Sequence, residues 1–455
     1  MTLLIKDTYF AIDLNDSKYE KLISKNFTFK DHSAAVTAAG YDPMKVKNVK
    51  LFTKKNNLFI FRSGFLMEFL LLCKTYNIKI NEVKDERTKY EFQKVYSYDF
   101  LRKFFNPDFD YVDHQIKALQ AMLKTNVGVL KLPTSSGKSS ILSAYLKLTK
   151  VPTIVIVDGV SLSDQLRQNL IDDGIEDVGV CNGKKLKEGY HTVSTIGSVK
   201  KLNLVKYECL IFDECHSSAA ATAQDFLSKV SYPLRFGLSA TPEGNCKFRW
   251  AKIRQYLGGI ISETKAQELL DNEVITPPKI TFIEVKCKPT LDWISANNIN
   301  IICNEERNNK IKQIVEHYNL PTLILFRNLD HGEIIKDLLP ENSVLLSGEN
   351  SLKERKDAVE KFKNGEIKIL IASNIFKQGI SINNIQLMIN ASGGKSEIEV
   401  LQKLGRSLRK CEGKDYAYVY DFDDIGNKFT SKHSKQRKHL YKKVGYTDIT
   451  HKENV

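Results

Sequence analysis

Leu130-Lys131-Leu132-Pro133-Thr134-Ser135-Ser136-Gly137-Lys138-Ser139-Ser140 is the stretch around which the chain reads. An apolar run from Val127 to Leu132 feeds it, and a helix-like apolar run from Ile141 to Leu148 follows. Strand, tight loop and helix, in that order, form the setting of a phosphate-binding loop. The loop N–H groups turn inward on phosphate oxygens, and the positive end of the helix dipole adds to them. Pro133, Thr134, Ser135, Ser136 and Gly137 are then expected to cradle the phosphates of a nucleotide. Lys138 bridges the β- and γ-phosphates, and the Ser139 hydroxyl holds Mg²⁺. The glycine usual five positions before Gly137 is here Leu132, so Pro133 and Thr134 shape the turn.

At 455 residues the chain exceeds a single core and suggests about three domains. Its 42% hydrophobic and 27% charged content is ordinary for globular protein. The net charge of +14 favours a polyanion partner, most simply nucleic acid, against the plainer reading of a solvated lysine-rich surface. The eight cysteines form no Cys-x-x-Cys pair, so reduced thiols in a cytoplasmic compartment fit better than disulfides or a metal framework. Lys6 and Asp7 interrupt the first apolar run, which excludes a signal peptide. Arg62 and Glu68 break the most apolar segment, Leu58 to Cys73, so no membrane partner is expected.

Residues 106 to 260 alternate strand-like and helix-like runs, which predicts a parallel sheet covered by helices. Gln115 opens a helical stretch ahead of the phosphate-loop strand, where its amide can read an adenine edge. Thr153–Val157 is a buried strand followed by Ser161, Ser163, Asp164 and Gln165 at a helix start. Ser194 and Thr195 end another strand. Hydroxyls and N–H groups at such places suit phosphodiester contacts. Cys209-Leu210-Ile211-Phe212 is an apolar strand ending in Asp213-Glu214-Cys215-His216. Carboxylates at the carboxyl end of a parallel strand sit where ligands bind. Asp213 is the Mg²⁺ ligand, and Glu214 orients or deprotonates the attacking water. Phe236 to Pro242 is a further strand, ending in the hydroxyls Ser239 and Thr241.

Gly258-Gly259 and Pro277-Pro278 bound a connection placed at residues 261 to 280. A second alternating region, 281 to 425, has no Gly-Lys-Ser loop and is expected to act on the first region's nucleotide. Its helix-like run Val400 to Lys410 places Gln402, Arg406 and Arg409 on one face, where guanidinium groups can stabilise charge on a γ-phosphoryl group. Residues 1 to 105 read as a small mixed domain. Lys54-Lys55-Asn56-Asn57 lies between Val49–Phe52 and Leu58–Phe61, which predicts a hairpin with a basic tip. Lysines interleaved with Phe52, Phe59 and Phe61 can grip nucleic acid, or the rings can be core and the lysines solvated. Residues 426 to 455 read as a basic tail.

Taken together, these segments resemble the superfamily 2 helicases over about residues 110 to 425. Gln115 resembles the adenine-contacting Gln, Pro133 to Ser139 motif I, Val157 to Gln165 motif Ia, Asp213 to His216 a DExH-type motif II and Ser239 to Pro242 motif III. Phe326-Arg327 falls at motif IV, Ala372 to Ile382 at motif V and Gln402 to Arg409 at motif VI. The run from Ile371 through Gly379-Ile380-Ser381 to Arg406 is most similar to UvsW-type phage recombination helicases. Phe27-Thr28-Phe29 and Phe61 to Leu66 resemble the small domain that precedes the motor there and in XPB-like proteins.

The resemblance implies an α/β fold: two RecA-like parallel-sheet lobes, residues 106–260 and 281–425, behind a small α+β accessory domain at 1–105. It implies an ATP- and Mg²⁺-dependent helicase or translocase on branched DNA, in branch migration, fork regression, recombination or repair, with RNA–DNA hybrids left open. Glu214, Arg406, Arg409 and Gln402 are the implied catalytic residues, and Gly379 joins the nucleotide site. Gln165, Ser194, Thr195, Phe326, Arg327, Ser373, Lys54 and Lys55 are the implied nucleic-acid contacts. A monomer or weak oligomer in the cytoplasm, a host's if phage-encoded, completes the expectation. The rival readings are an ATP-driven duplex clamp or sensor and the motor subunit of a restriction system.

Overall fold

The computed structural model describes residues 1–453 apart from 15, 38–39, 108–110, 184, 245, 374–381, 383, 395–404, 406–407 and 409–412. The chain divides into two units, Met1–Leu132 with Gly137–Glu263 and Pro133–Ser136 with Thr264–Val455.

The first unit holds an eight-stranded sheet in the order Lys185–Lys187, Val178–Asn182, His191–Thr195, Thr153–Val157, Cys209–Asp213, Leu234–Ser239, Val127–Lys131, Ile260–Glu263. Every pairing is parallel except that of the edge strand Lys185–Lys187. Thr153–Val157 is buried along its whole length. Alternate side chains serve opposite faces, Val155 and Val157 one core, Ile154 and Ile156 the other. That two-sided burial is why the strands read as continuous apolar runs. The carboxyl ends of Cys209–Asp213, Leu234–Ser239 and Val127–Lys131 are neighbours in this order, so the loops that leave them meet at one edge.

The same unit carries a five-stranded sheet, Phe52–Lys55, Leu58–Arg62, Tyr9–Asp13, Thr2–Ile5, Glu82–Asp85. The hairpin turns at Asn56-Asn57, with Asn56 in the left-handed region (φ +51°) and Lys55 paired to Leu58. The expected strand Val49–Phe52 is split. The Leu51 N–H turns to the Phe27 carbonyl at 3.0 Å, so Lys47–Lys50 pairs with Thr28–Asp31 and Phe52 starts the hairpin. Phe59 and Phe61 are buried, and Phe10 stacks on Phe61 with centroids 4.9 Å apart. These rings are core and are not available to bases.

This sheet is fastened to the larger one. Arg235, buried in Leu234–Ser239, donates to the carbonyls of Tyr256 (2.8 Å) and Asp7 (3.0 Å) and to the Ser63 hydroxyl. Gly64 lies so close to the helix Lys247–Leu257 that a Cβ on it would stand 2.0 Å from the Arg254 carbonyl oxygen.

The second unit has seven strands, all parallel, in the order Ser343–Leu346, Ile369–Ser373, Thr322–Phe326, Leu387–Asn390, Ala417–Ile425, Pro278–Lys286, Ile449–Lys452. The architecture is therefore α/β with two RecA-like sheets. Two expected segments are more structured than the sequence suggests. The chain passes from the first unit to the second within the expected connection 261–280, between Glu263 and Thr264, but that stretch is structured: Ile260–Glu263 is a strand of the first sheet, while Ala266, Leu269 and Ile275 are buried in the second unit. Residues 426–455 are not a tail. The helix Lys428–Lys443 buries Thr430, His433, Arg437, Leu440 and Tyr441, and Ile449–Lys452 pairs with Pro278–Lys286. Apolar and hydrogen-bonding demands of the sheet edge hold this lysine-rich segment in place.

Candidate active site

Four segments converge on the carboxyl edge of the first sheet. The strand Val127–Lys131 runs into the phosphate loop, where Ser135 (φ +67°) and Gly137 (φ +79°) take left-handed conformations before the helix Lys138–Thr149. At Gly137 two demands coincide: its φ disfavours L side chains, and a Cβ would lie 2.2 Å from the Gln115 amide nitrogen. Gln115 is buried in the first turn of the helix Asp113–Lys124 and so packs its amide against this loop.

Glu214 follows the strand Cys209–Asp213 with φ +50°, a costly conformation for a residue with a Cβ, of the kind that collects at functional sites. The turn places its carboxylate between two elements. Oε1 accepts from Lys138 Nζ at 3.2 Å, and Oε2 lies 3.2 Å from His216 Nδ1 and 3.5 Å from Ser239 Oγ. Ser239 Oγ also meets His216 Nδ1 at 3.1 Å and accepts from the Thr241 N–H at 3.2 Å. Ser239 was expected as a strand-end hydroxyl near the nucleotide, whereas His216 was not singled out individually from the sequence. Their signal lay in the Asp-Glu-Cys-His and Ser-Ala-Thr-Pro runs, whose strands lie side by side.

The electrostatics follow from burial. Burial favours neutral Lys138, but the Glu214 and Asp213 charges outweigh it and hold its pKa above the ordinary lysine value. Burial, with the Glu214 charge added, pushes Asp213 above the usual carboxylate range. Burial would raise Glu214 too, yet the Lys138 charge and the His216 hydrogen bond keep it low. One carboxylate is thus held ionised beside a lysine, and the other is poised to accept a cation. Among the described residues no group of three or more His, Cys, Asp or Glu is arranged to hold a metal ion. Asp213 and the Ser139 hydroxyl suit Mg²⁺, which ordinarily keeps waters and substrate phosphates as its remaining ligands. When bound, that ion neutralises phosphate charge.

The remaining sequence candidates separate. Gln165 is half-buried in the helix Val160–Asp172, and Thr195 is half-buried at its strand end. Ser194 is fully buried, its hydroxyl 3.1 Å from the Cys181 carbonyl oxygen, and so cannot reach a phosphodiester. Phe326 is likewise core, with only Arg327 beside it exposed, because the strand Thr322–Phe326 is covered on both faces. Ser373 is buried at the end of Ile369–Ser373. Lys54 and Lys55 are both exposed, but Lys54 pairs with Glu20 and lies over the Phe59 ring. Gly379, Gln402, Arg406 and Arg409 lie outside the described residues.

Two family models match the chain. The family model described as type III restriction enzyme, res subunit, matches residues 108–244, and the helicase conserved C-terminal domain matches residues 299–411. The chain belongs to the superfamily 2 helicases and is an ATP-dependent enzyme of that class. It is 25% identical over 350 residues to the DNA 3'-5' translocase XPB2 of Sulfurisphaera tokodaii, covering 66% of this chain and 78% of that one. It is 27% identical over 347 residues to the ATP-dependent DNA helicase uvsW of Enterobacteria phage T4, covering 68% of each. Among solved structures, S. cerevisiae Dbp5 bound to RNA and ADP BeF3 shares the fold at a TM-score of 0.57 and 16% identity, over 79% of this chain and 96% of that one. Among the described residues no helix is long and apolar enough to cross a membrane.

Proposed function

We propose that this chain is an ATP-driven motor on branched DNA, acting in branch migration, fork regression or a related step of recombination or repair. The observation that carries the ATPase half is Glu214, strained at a strand end and held between Lys138 and His216. In this reading Lys138 and the phosphate loop hold the triphosphate, and Ser139 with Asp213 holds Mg²⁺. Gln115 reads the base. Glu214 orients or deprotonates the attacking water, and Ser239 with His216 keeps it in place. Arg406 and Arg409 supply positive charge to the transferring phosphoryl group, aided by Gln402 and Gly379.

The DNA half rests on the net charge of +14 and on two relatives whose names specify DNA. The match to a restriction-enzyme res subunit favours a second reading, a motor working with a separate nuclease. The deciding experiment measures ATPase and strand displacement with single strands, linear duplex, forks, four-way junctions and RNA–DNA hybrids. Turnover stimulated most by forks and junctions, with displacement, is the expected result. ATPase on duplex without displacement would overturn the reading in favour of a clamp.

A further inference from the structure

The five-stranded sheet of the first unit has two unlike faces. Along Leu58–Arg62, Phe59 and Phe61 are buried, while Leu58, Ile60 and Arg62 are not. The registers Thr53 to Ile60 and Tyr9 to Arg62 place Tyr9, Thr53, Ile60 and Arg62 together on the face away from the phenylalanine core. Lys55, two positions after Thr53, shares that face, and Lys54 does not. A groove of about 380 Å³ runs over it, with Lys50, Leu51 and Phe52 at one side and Gln255 of the larger domain at the end.

Its chemistry is specific. No carboxylate lines the groove, and two cations do. The Arg62 guanidinium is set in place by neutral groups, 5.2 Å over the Tyr256 ring and 3.4 Å from the Ser228 carbonyl. A second guanidinium, that of buried Arg235, has carbonyls and a hydroxyl as its acceptors. Asp7, whose backbone carbonyl Arg235 holds, turns its carboxylate to the Thr88 N–H (2.9 Å) and hydroxyl (2.7 Å), and Asp13 lies exposed on the face at the far end of its strand. The local field is therefore positive over a surface that also offers an aromatic ring and aliphatic area. An apolar platform bordered by fixed cations is the arrangement that takes a base on its flat side and a phosphate at its rim.

We infer that this groove seats an unpaired nucleotide of a DNA strand, its base against Tyr9 and Ile60 and its phosphate at Arg62 and Lys50. The inference rests on the proposed action on branched DNA and names the surface that reads the branch. An unpaired base stacks with whatever its sequence, so the groove selects structure and not sequence. A duplex offers this face phosphates but no free base plane, and binds more weakly.

The test uses the full chain and forked DNA with a single 5-iodo-deoxyuridine, placed in turn at an unpaired position of the branch and within each duplex arm. Irradiation should cross-link the unpaired probe, and not the duplex probes, to Tyr9 or to the peptide between Lys50 and Arg62. Excess free deoxynucleoside monophosphate should leave that cross-link intact, which separates a strand from a free nucleotide as the ligand; its loss would overturn the assignment to a strand. Tyr9→Leu and Arg62→Gln should each lower the fork-to-duplex affinity ratio about tenfold. If the wild-type chain prefers forks while its cross-links map elsewhere, the groove inference is overturned and the motor proposal stands. If the wild-type chain shows no DNA-stimulated ATPase, both fail.

Discussion

Lys138 and Glu214 face each other at 3.2 Å, and each dominates the other's charge. Their substitutions should nevertheless differ in kind. Lys138→Ala removes the one side-chain cation of a loop otherwise built from backbone N–H groups. Loss of turnover by about 10²-fold or more is expected from removing such preorganised charge, with the far-ultraviolet spectrum unchanged. Wild-type turnover at saturating DNA would end the phosphate-loop assignment. Glu214→Gln keeps the shape, and the amide can still face Lys138, His216 and Ser239. It should bind ATP and DNA near the wild-type level and stall at hydrolysis, accumulating a DNA-bound complex in a gel-shift assay with ATP. Failure to bind ATP would make Glu214 a scaffold for Lys138 instead.

Elements of the second unit are held by charges their sequence conceals. Arg437, buried in the helix Lys428–Lys443, donates to both Asp421 carboxylate oxygens at 3.0 Å, to the Gly394 carbonyl at 2.7 Å and to the Phe422 carbonyl at 2.9 Å. Arg437→Leu leaves Asp421 buried without its cation, a loss of about 3–5 kcal/mol. A fall in unfolding temperature on the order of 10 °C should follow in calorimetry. His331 sits in the same unit, 3.0 Å from the Asn308 side-chain oxygen. Burial, and then the Arg307 charge, depress its pKa to about 3. A histidine depressed in the folded state supports folding above the unfolded value near 6.5 and loses that support as pH falls from there towards 3. At pH 5 the loss from this group is about 2 kcal/mol, and His331→Gln should flatten that part of the stability profile.

These two groups show where sequence reading succeeds and where it stops. Thr153–Val157 was legible because burial on both faces leaves an unbroken apolar run. The helix 428–443 was not, because its buried stripe is mostly polar, Thr430, His433, Ser434, Arg437 and Tyr441 beside Leu440, and Arg437 and Tyr441 take their partner Asp421 from another element. Phe326 and Ser194 looked like contact residues for the converse reason. A strand end carries ligands on its loop side only, and the last buried position cannot be told from the first exposed one without the register.

At the scale of the whole chain, the accessory domain cannot be judged by deletion. A chain beginning near residue 106 would strip Arg235 of the Asp7 and Ser63 oxygens and uncover Ala251, which packs in the accessory domain's core. Loss of function in such a truncation would report a damaged ATPase domain as readily as a lost DNA contact. Point substitutions at Lys54 and Lys55 avoid this, and the structure separates two residues that sequence alone treats alike. Lys54 is already neutralised by Glu20, so its removal frees a carboxylate and releases no phosphate contact. Lys55 is exposed on the face of Tyr9 and Arg62. Each phosphate contact contributes about one unit to the slope of log affinity against log salt. Lys55→Ala should therefore reduce that slope on forked DNA by about one unit, and Lys54→Ala should leave it unchanged within error. A loss confined to Lys54→Ala would place the DNA on the phenylalanine side of the hairpin, and equal slopes for the two variants would overturn the distinction between the two lysines drawn from the register.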